Sequence, residues 1–170
     1  LARFHGLHAA ISVQITTSHD PVDFDREDID VAVHYGRRGE QGLVTEKLFD
    51  EVLVPICSPK LLARPPVLKT PRDLANHVLL HSIRRPKDWP QWLAAAGVSD
   101  VEGEHGLIFE NSSLTYQGVS EGIGLAMAQL GLVADDLAAG HVVAPFATRV
   151  ENDFAYALVF PKERATLRKV

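Results

Sequence analysis

Period-2 runs of apolar residues, alternating along the chain with helix-length segments, constrain this sequence most. Ile11, Val13 and Ile15 alternate with Ser12, Gln14 and Thr16, and Ile29, Val31 and Val33 continue the pattern toward Tyr35. Successive side chains on a strand point to opposite faces, so both runs predict strands with one buried face. Val52, Val54 and Ile56 repeat the pattern over residues 48–58, where Pro55 argues for an edge or crossover position. Val78–His81, Leu107–Phe109, Gly124–Gln129 and Phe154–Phe160 read as further strands.

Helical segments separate them. Leu1, Phe4 and Leu7 recur at helical spacing with no capping residue before them, so the sequence enters partway through a helix. Pro59, Pro65, Pro66 and Pro71 cut the middle into short helices and turns. Trp89–Ala96 is a short helix with Trp92 and Leu93 on its apolar side. Ser112 or Ser113 is a candidate N-cap for a helix reaching about Gly122, and Gly140 stops a helix over Val133–Ala139. A last helix begins at Lys162. Strands alternating with helices predict an α/β fold with a largely parallel sheet. The elements are too many and too short for one doubly wound sheet, so two small α/β lobes with two crossovers are expected.

The 170 residues suffice for a substantial core. With 17 Lys and Arg against 22 Asp and Glu, the net charge is −5, which argues against a phosphate-neutralising surface in this segment. One cysteine excludes an internal disulfide and fits a reducing, cytoplasmic setting. No apolar run has the ~18 residues of a membrane span, and no signal peptide is visible.

The case for chemistry is thin. His5 and His8 share a helical face without a third ligand nearby, and His77 and His81 fall on a strand that separates them, so no metal site is expected. Cys57 stands at a strand end but reads as a small buried hydrophobe. Gly122-Ile123-Gly124 is followed by Met127 where a dinucleotide loop needs glycine. The acidic run from Asp23 to Asp30 reads as a solvated turn, and Trp89 and Trp92 as core residues. Neither catalytic residues nor cofactors are expected.

Binding is better supported. Thr17 and Ser18 close the first strand, and His34, Tyr35 and Gly36 close the second. Ligands of parallel α/β sheets sit outside the carboxyl ends of the strands. Asn111, Ser112 and Ser113 open a helix directly after a third strand. The N–H groups and positive dipole end of such a helix suit a carboxylate.

These residues also form an ordered set of motifs. Asp28-Ile29-Asp30-Val31-Ala32-Val33-His34-Tyr35-Gly36 resembles the "DxAIRYG" signature of LysR-type transcriptional regulators, with His34 where relatives carry Arg. Leu48-Phe49-Asp50-Glu51 with Val54-Pro55-Ile56-Cys57-Ser58-Pro59 is similar to that family's "LFDE…PVCSP" crossover. Phe109-Glu110-Asn111-Ser112-Ser113-Leu114 and Asp135-Asp136-Leu137-Ala138-Ala139-Gly140 follow in the family's order. The closest likeness is to the branch of the glycine-cleavage activator and the β-lactamase regulator.

The resemblance implies an effector-binding domain with a fold like the type II periplasmic binding proteins. Lobe I would take residues 1–57 and 147–170, and lobe II residues 58–146. It further implies a small-molecule effector in the inter-lobe cleft, touched by Thr17, Ser18, His34, Tyr35, Gly36, Asn111, Ser112, Ser113 and Tyr156. A homodimer or higher homo-oligomer is expected, with DNA contacts made through a winged helix-turn-helix that precedes this sequence in relatives. The first effector-domain strand of relatives also lies upstream, so the sequence reads as N-terminally truncated. An extracytoplasmic solute-binding protein is the alternative on the same architecture.

Overall fold

The computed structural model describes residues 2–18, 20–37 and 42–167. In chain order the elements are α1 (Ala2–Leu7), β1 (Ala32–Gly36), β2 (Leu43–Ile56), α2 (Pro59–Leu62), β3 (Leu79–Ser82), α3 (Asp88–Ala95), β4 (Leu107–Phe109), α4 (Ser112–Ser120), β5 (Leu125–Gln129), α5 (Leu130–Ala139) and β6 (Val150–Pro161). Single 3-10 segments span Pro71–Asn76 and Lys162–Arg164. The chain divides into two compact units, Leu1–Phe49 with Phe154–Val170, and Asp50–Asp153. β2 and β6 each carry the chain across that division.

In the first unit β1 pairs antiparallel with β6, from Ala32 opposite Val159 to Gly36 opposite Ala155. The period of two along β6 sends Ala155, Ala157 and Val159 to the buried side. Phe24, Ala157 and Val159 form a small core against Val22, Ile29, Ala32 and Leu43. Arg164 fastens the preceding loop over it, donating to the carbonyls of Phe24 and Ile29 at 2.8 Å each.

The second unit is three layers deep. β3 pairs parallel with β4 and β5, while β5 pairs antiparallel with β2. Alternation on these strands feeds two cores. Leu53, Leu79, Leu125 and Met127 pack with Trp89, Trp92 and Leu93 of α3. Val54, Ile56, Leu80, Ala126 and Ala128 pack with Val119 of α4 and Val133 of α5. All five residues of β5 are buried, as expected of a strand covered on both faces. Glycine permits one close approach, because a Cβ at Gly124 would collide with the carbonyl of Val78. Gly140 ends α5 in the left-handed conformation at φ 72°.

Four expectations need correction. The sheet is mixed rather than largely parallel, because the strands that carry the chain between units enter antiparallel to their neighbours. The run from Ile11 to Thr16 forms no strand. Ile11, Val13 and Ile15 are 37%, 49% and 61% exposed; alternation prepares a strand, but a ladder needs a neighbour, and none of the described residues supplies one. At the C-terminal end, Lys162 opens a single 3-10 segment instead of a longer helix. The cap of α4 is Asn111, not Ser112 or Ser113. Arg38, Gly39, Glu40 and Gln41, in the expected glycine-rich loop, lie outside the described residues.

Candidate functional site

In the first unit, the end of β1 and the facing part of β6 bring aromatic rings together. Tyr35 stands opposite Tyr156 in the ladder, with ring centroids 4.9 Å apart. Phe154 stacks on Tyr35 at 5.4 Å, and Phe49 of β2 lies 4.8 Å from Tyr156. The Arg37 guanidinium carbon sits 5.7 Å from the Phe154 centroid, within cation–π range. His34 precedes Tyr35 by one position and therefore lies on the opposite face of the strand. Its imidazole occupies the space that a Cβ at Gly36 would need. Thr17 and Ser18 are exposed, and the Ser18 hydroxyl accepts from the N–H of Asp20 at 3.0 Å. Of the residues expected in this unit, the structure brings Tyr35, Gly36 and Tyr156 together at one strand end.

In the second unit the expected residues open α4. Asn111 is extended, at φ −149° and ψ 168°, and its Oδ1 accepts from the N–H of Leu114 at 3.0 Å. Thr115 completes the turn, donating from Oγ1 to the Asn111 carbonyl at 2.9 Å. With Asn111 in the capping role, the hydroxyls of Ser112 and Ser113 are released from it. Both stand on the first turn, where helical N–H groups have no partner within the helix and the dipole end is positive. A cavity of about 10 Å³ lies beside Ser112, lined also by His81, Ser82, Arg85, Asp88 and Thr115. That volume is the size of a single water.

A buried charge cluster borders this cavity, and the sequence reading did not find it. Arg85 donates from Nη2 to Glu51 Oε1 and from Nε to Asp88 Oδ2, both at 2.6 Å. Asn152 donates to the other Glu51 oxygen, also at 2.6 Å. Glu51 is 1% exposed. Burial pushes the Asp88 carboxyl above the ordinary aspartate value, against the opposing pull of Arg85. The available signal was Glu51 itself, a charge on the same strand face as Leu53, where only a paired carboxylate is tolerable.

The remaining chemical candidates are structural. Cys57 is fully buried, and burial pushes its thiol up to about 11. His81 donates from Nε2 to the carbonyl of His105 at 3.1 Å. Trp89 and Trp92 pack edge to face at 6.2 Å. Among the described residues no three His, Cys, Asp or Glu side chains are grouped to hold a metal ion. No helix there is long and apolar enough to cross a membrane.

The LysR substrate binding domain profile matches residues 1–170. The chain belongs to the LysR substrate-binding-domain family. It is 36% identical over 170 residues to the glycine cleavage system transcriptional activator of Escherichia coli K12, covering all of this chain and 55% of that protein. It is 31% identical over 153 residues to the HTH-type transcriptional activator AmpR of Pseudomonas aeruginosa, covering 89% and 50% respectively. The LysR chain thus spans about half the length of the curated relatives it matches.

Solved effector domains agree in fold. That of AmpR from Pseudomonas aeruginosa superposes with a TM-score of 0.70 at 29% identity, covering 95% of this chain and 76% of that one. The AmpR effector-binding domain from Citrobacter freundii gives 0.73 at 25% identity, covering 96% and 80%. The type II periplasmic-binding-like α/β fold expected from the LysR resemblance is therefore the one observed, with a mixed sheet. The curated relatives are transcriptional regulators, and a transport receptor is not favoured.

Proposed function

We propose that this chain is the effector-sensing part of a cytoplasmic LysR-type transcriptional regulator and has no catalytic activity of its own. Its ligand is a small carboxylate-bearing molecule. Its candidate contacts are, in the first unit, Tyr35, Gly36 and Tyr156 with Thr17, Ser18 and His34, and, in the second unit, Asn111, Ser112 and Ser113. The lobes of this reading are residues 1–57 with 147–170 and residues 58–146. The whole protein is a homodimer that reaches DNA through an N-terminal winged helix-turn-helix, and the effector biases one of two arrangements by binding it more tightly.

The opening turn of α4 carries this reading. Asn111 satisfies the Leu114 N–H, leaving two serine hydroxyls at the positive end of a nine-residue helix, an arrangement suited to a carboxylate. Calorimetric titration with a panel of amino acids and small carboxylates tests it. A member that binds the native chain and loses at least about tenfold in affinity, roughly 1.4 kcal/mol, with Ser112→Tyr supports the assignment. Equal affinity in a folded Ser112→Tyr chain removes Ser112 from the site.

A further inference from the structure

The two places where the chain passes between the units are residues 49–50 on β2 and 153–154 on β6. Glu51 lies just inside the second unit after the first passage, and Asn152 just before the second. One carboxylate joins them, since Glu51 accepts from Asn152 with one oxygen and from Arg85 with the other, at 2.6 Å each. Arg85 comes from the loop between β3 and α3, and its second bond, to Asp88, anchors it on the first turn of α3. Both connecting strands are thereby tied to one guanidinium held by the body of the second unit.

Stability alone does not account for such a cluster. Stripping water from two carboxylates and a guanidinium is costly, and buried pairs often contribute no more than apolar residues of the same shape. What the cluster supplies is direction, because a planar guanidinium bonding two carboxylates by separate N–H groups fixes its partners in position as well as distance. We propose that Arg85 and Glu51 form a latch that fastens β2 and β6 to the body of the second unit, so that the order of both strands beside the passages at residues 49–50 and 153–154 depends on one guanidinium. The latch goes beyond the ligand reading and does not depend on it.

Hydrogen exchange on the whole chain tests the latch. Arg85→Met should speed exchange by at least about tenfold at amides 51–54 and 150–153, with Leu79–Ser82 of β3 retaining native protection. Arg85→Lys should behave like Arg85→Met, because an ammonium lacks the guanidinium's fork. Asn152→Leu leaves the Arg85 pair intact, so its effect should be confined to 150–153; this milder exchange keeps the test available if Arg85 variants fail to fold. Protection lost evenly through β3 and β5 would make Arg85 an ordinary core residue and overturn the proposal. Unchanged exchange at both passages in a folded Arg85→Met chain overturns it as well.

Discussion

Cys57 and Val143 exchange both of their backbone hydrogen bonds at 2.9 Å, forming an antiparallel bridge just past the end of β2. The bridge seals the thiol into the core, where burial lifts it from 9.0 to about 11. Alkylation requires the thiolate, so iodoacetamide near neutral pH should label the native chain very slowly and the denatured chain readily. Above pH 9 the unfolded thiol ionises while the folded one keeps its proton. Stability from this group is therefore complete below pH 9 and lost as pH rises toward 11. Denaturant midpoints of the native chain and Cys57→Ala, compared across that interval, measure the difference.

Asn111 rather than either serine caps α4. Asn111→Ala should cost about 1 kcal/mol of unfolding free energy. Ser112→Ala should leave the denaturation midpoint nearly unchanged, because its hydroxyl makes no cap bond. Urea melts of the two variants distinguish the roles, and the reverse order of losses would return the cap to Ser112.

Each tryptophan answers a backbone carbonyl, buried at Leu80 and half-buried at Thr148. The Trp92 indole donates to Thr148 at 2.9 Å and the Trp89 indole to Leu80 at 3.1 Å. Replacement by phenylalanine keeps most of the apolar contact and strands the carbonyl, a loss of about 1–3 kcal/mol. Trp92→Ala should lose about 3–5 kcal/mol, because nothing refills the volume between α3 and the sheet. Thermal melts order the three variants.

Asp73 and Asp88 should act on acid stability in opposite senses. Backbone N–H groups of Thr70 and Lys69 hold the Asp73 carboxyl below its ordinary value of 3.8. Its contribution is present above that value and lost as pH falls through the folded one. The Asp88 carboxyl is held above 3.8, chiefly by burial. Its contribution is complete below 3.8 and lost as pH rises through the folded value. Asp73→Asn should therefore make the pH–stability curve less steep on the acid side, and Asp88→Asn should remove the opposing slope. Denaturant titrations at a series of acid pH values read both.

Legibility in the sequence tracked how local each cause is. Gly140 ends α5 by its own conformational freedom, and the prolines after Cys57 break the chain wherever they stand, so those boundaries were readable. The tryptophan-bearing helix was readable because apolar periodicity already encodes burial. The strand expected at Ile11–Thr16 failed because pairing belongs to two segments and the pattern describes one. The antiparallel entry of β2 failed for a related reason, since direction is decided by where a crossing strand lands. At the site, Tyr35 and Tyr156 were named separately, but their ring contact depends on a ladder spanning 121 positions (Tyr35 opposite Tyr156). The Glu51–Arg85–Asn152 cluster was least legible, because each member looks ordinary until three distant stretches are folded together.

The two tryptophans also divide the chain optically. Both lie in the unit Asp50–Asp153, whereas Tyr35 and Tyr156 belong to the other and Tyr116 to the first-named. Emission excited selectively through tryptophan therefore reports on one unit, and a loss of order confined to residues 1–49 and 154–170 passes without changing the indole surroundings. Unfolding followed by tryptophan emission and by backbone circular dichroism will coincide only if both units melt in one cooperative step. The chain thus carries, without any added label, its own means of showing whether its two halves are thermodynamically one body.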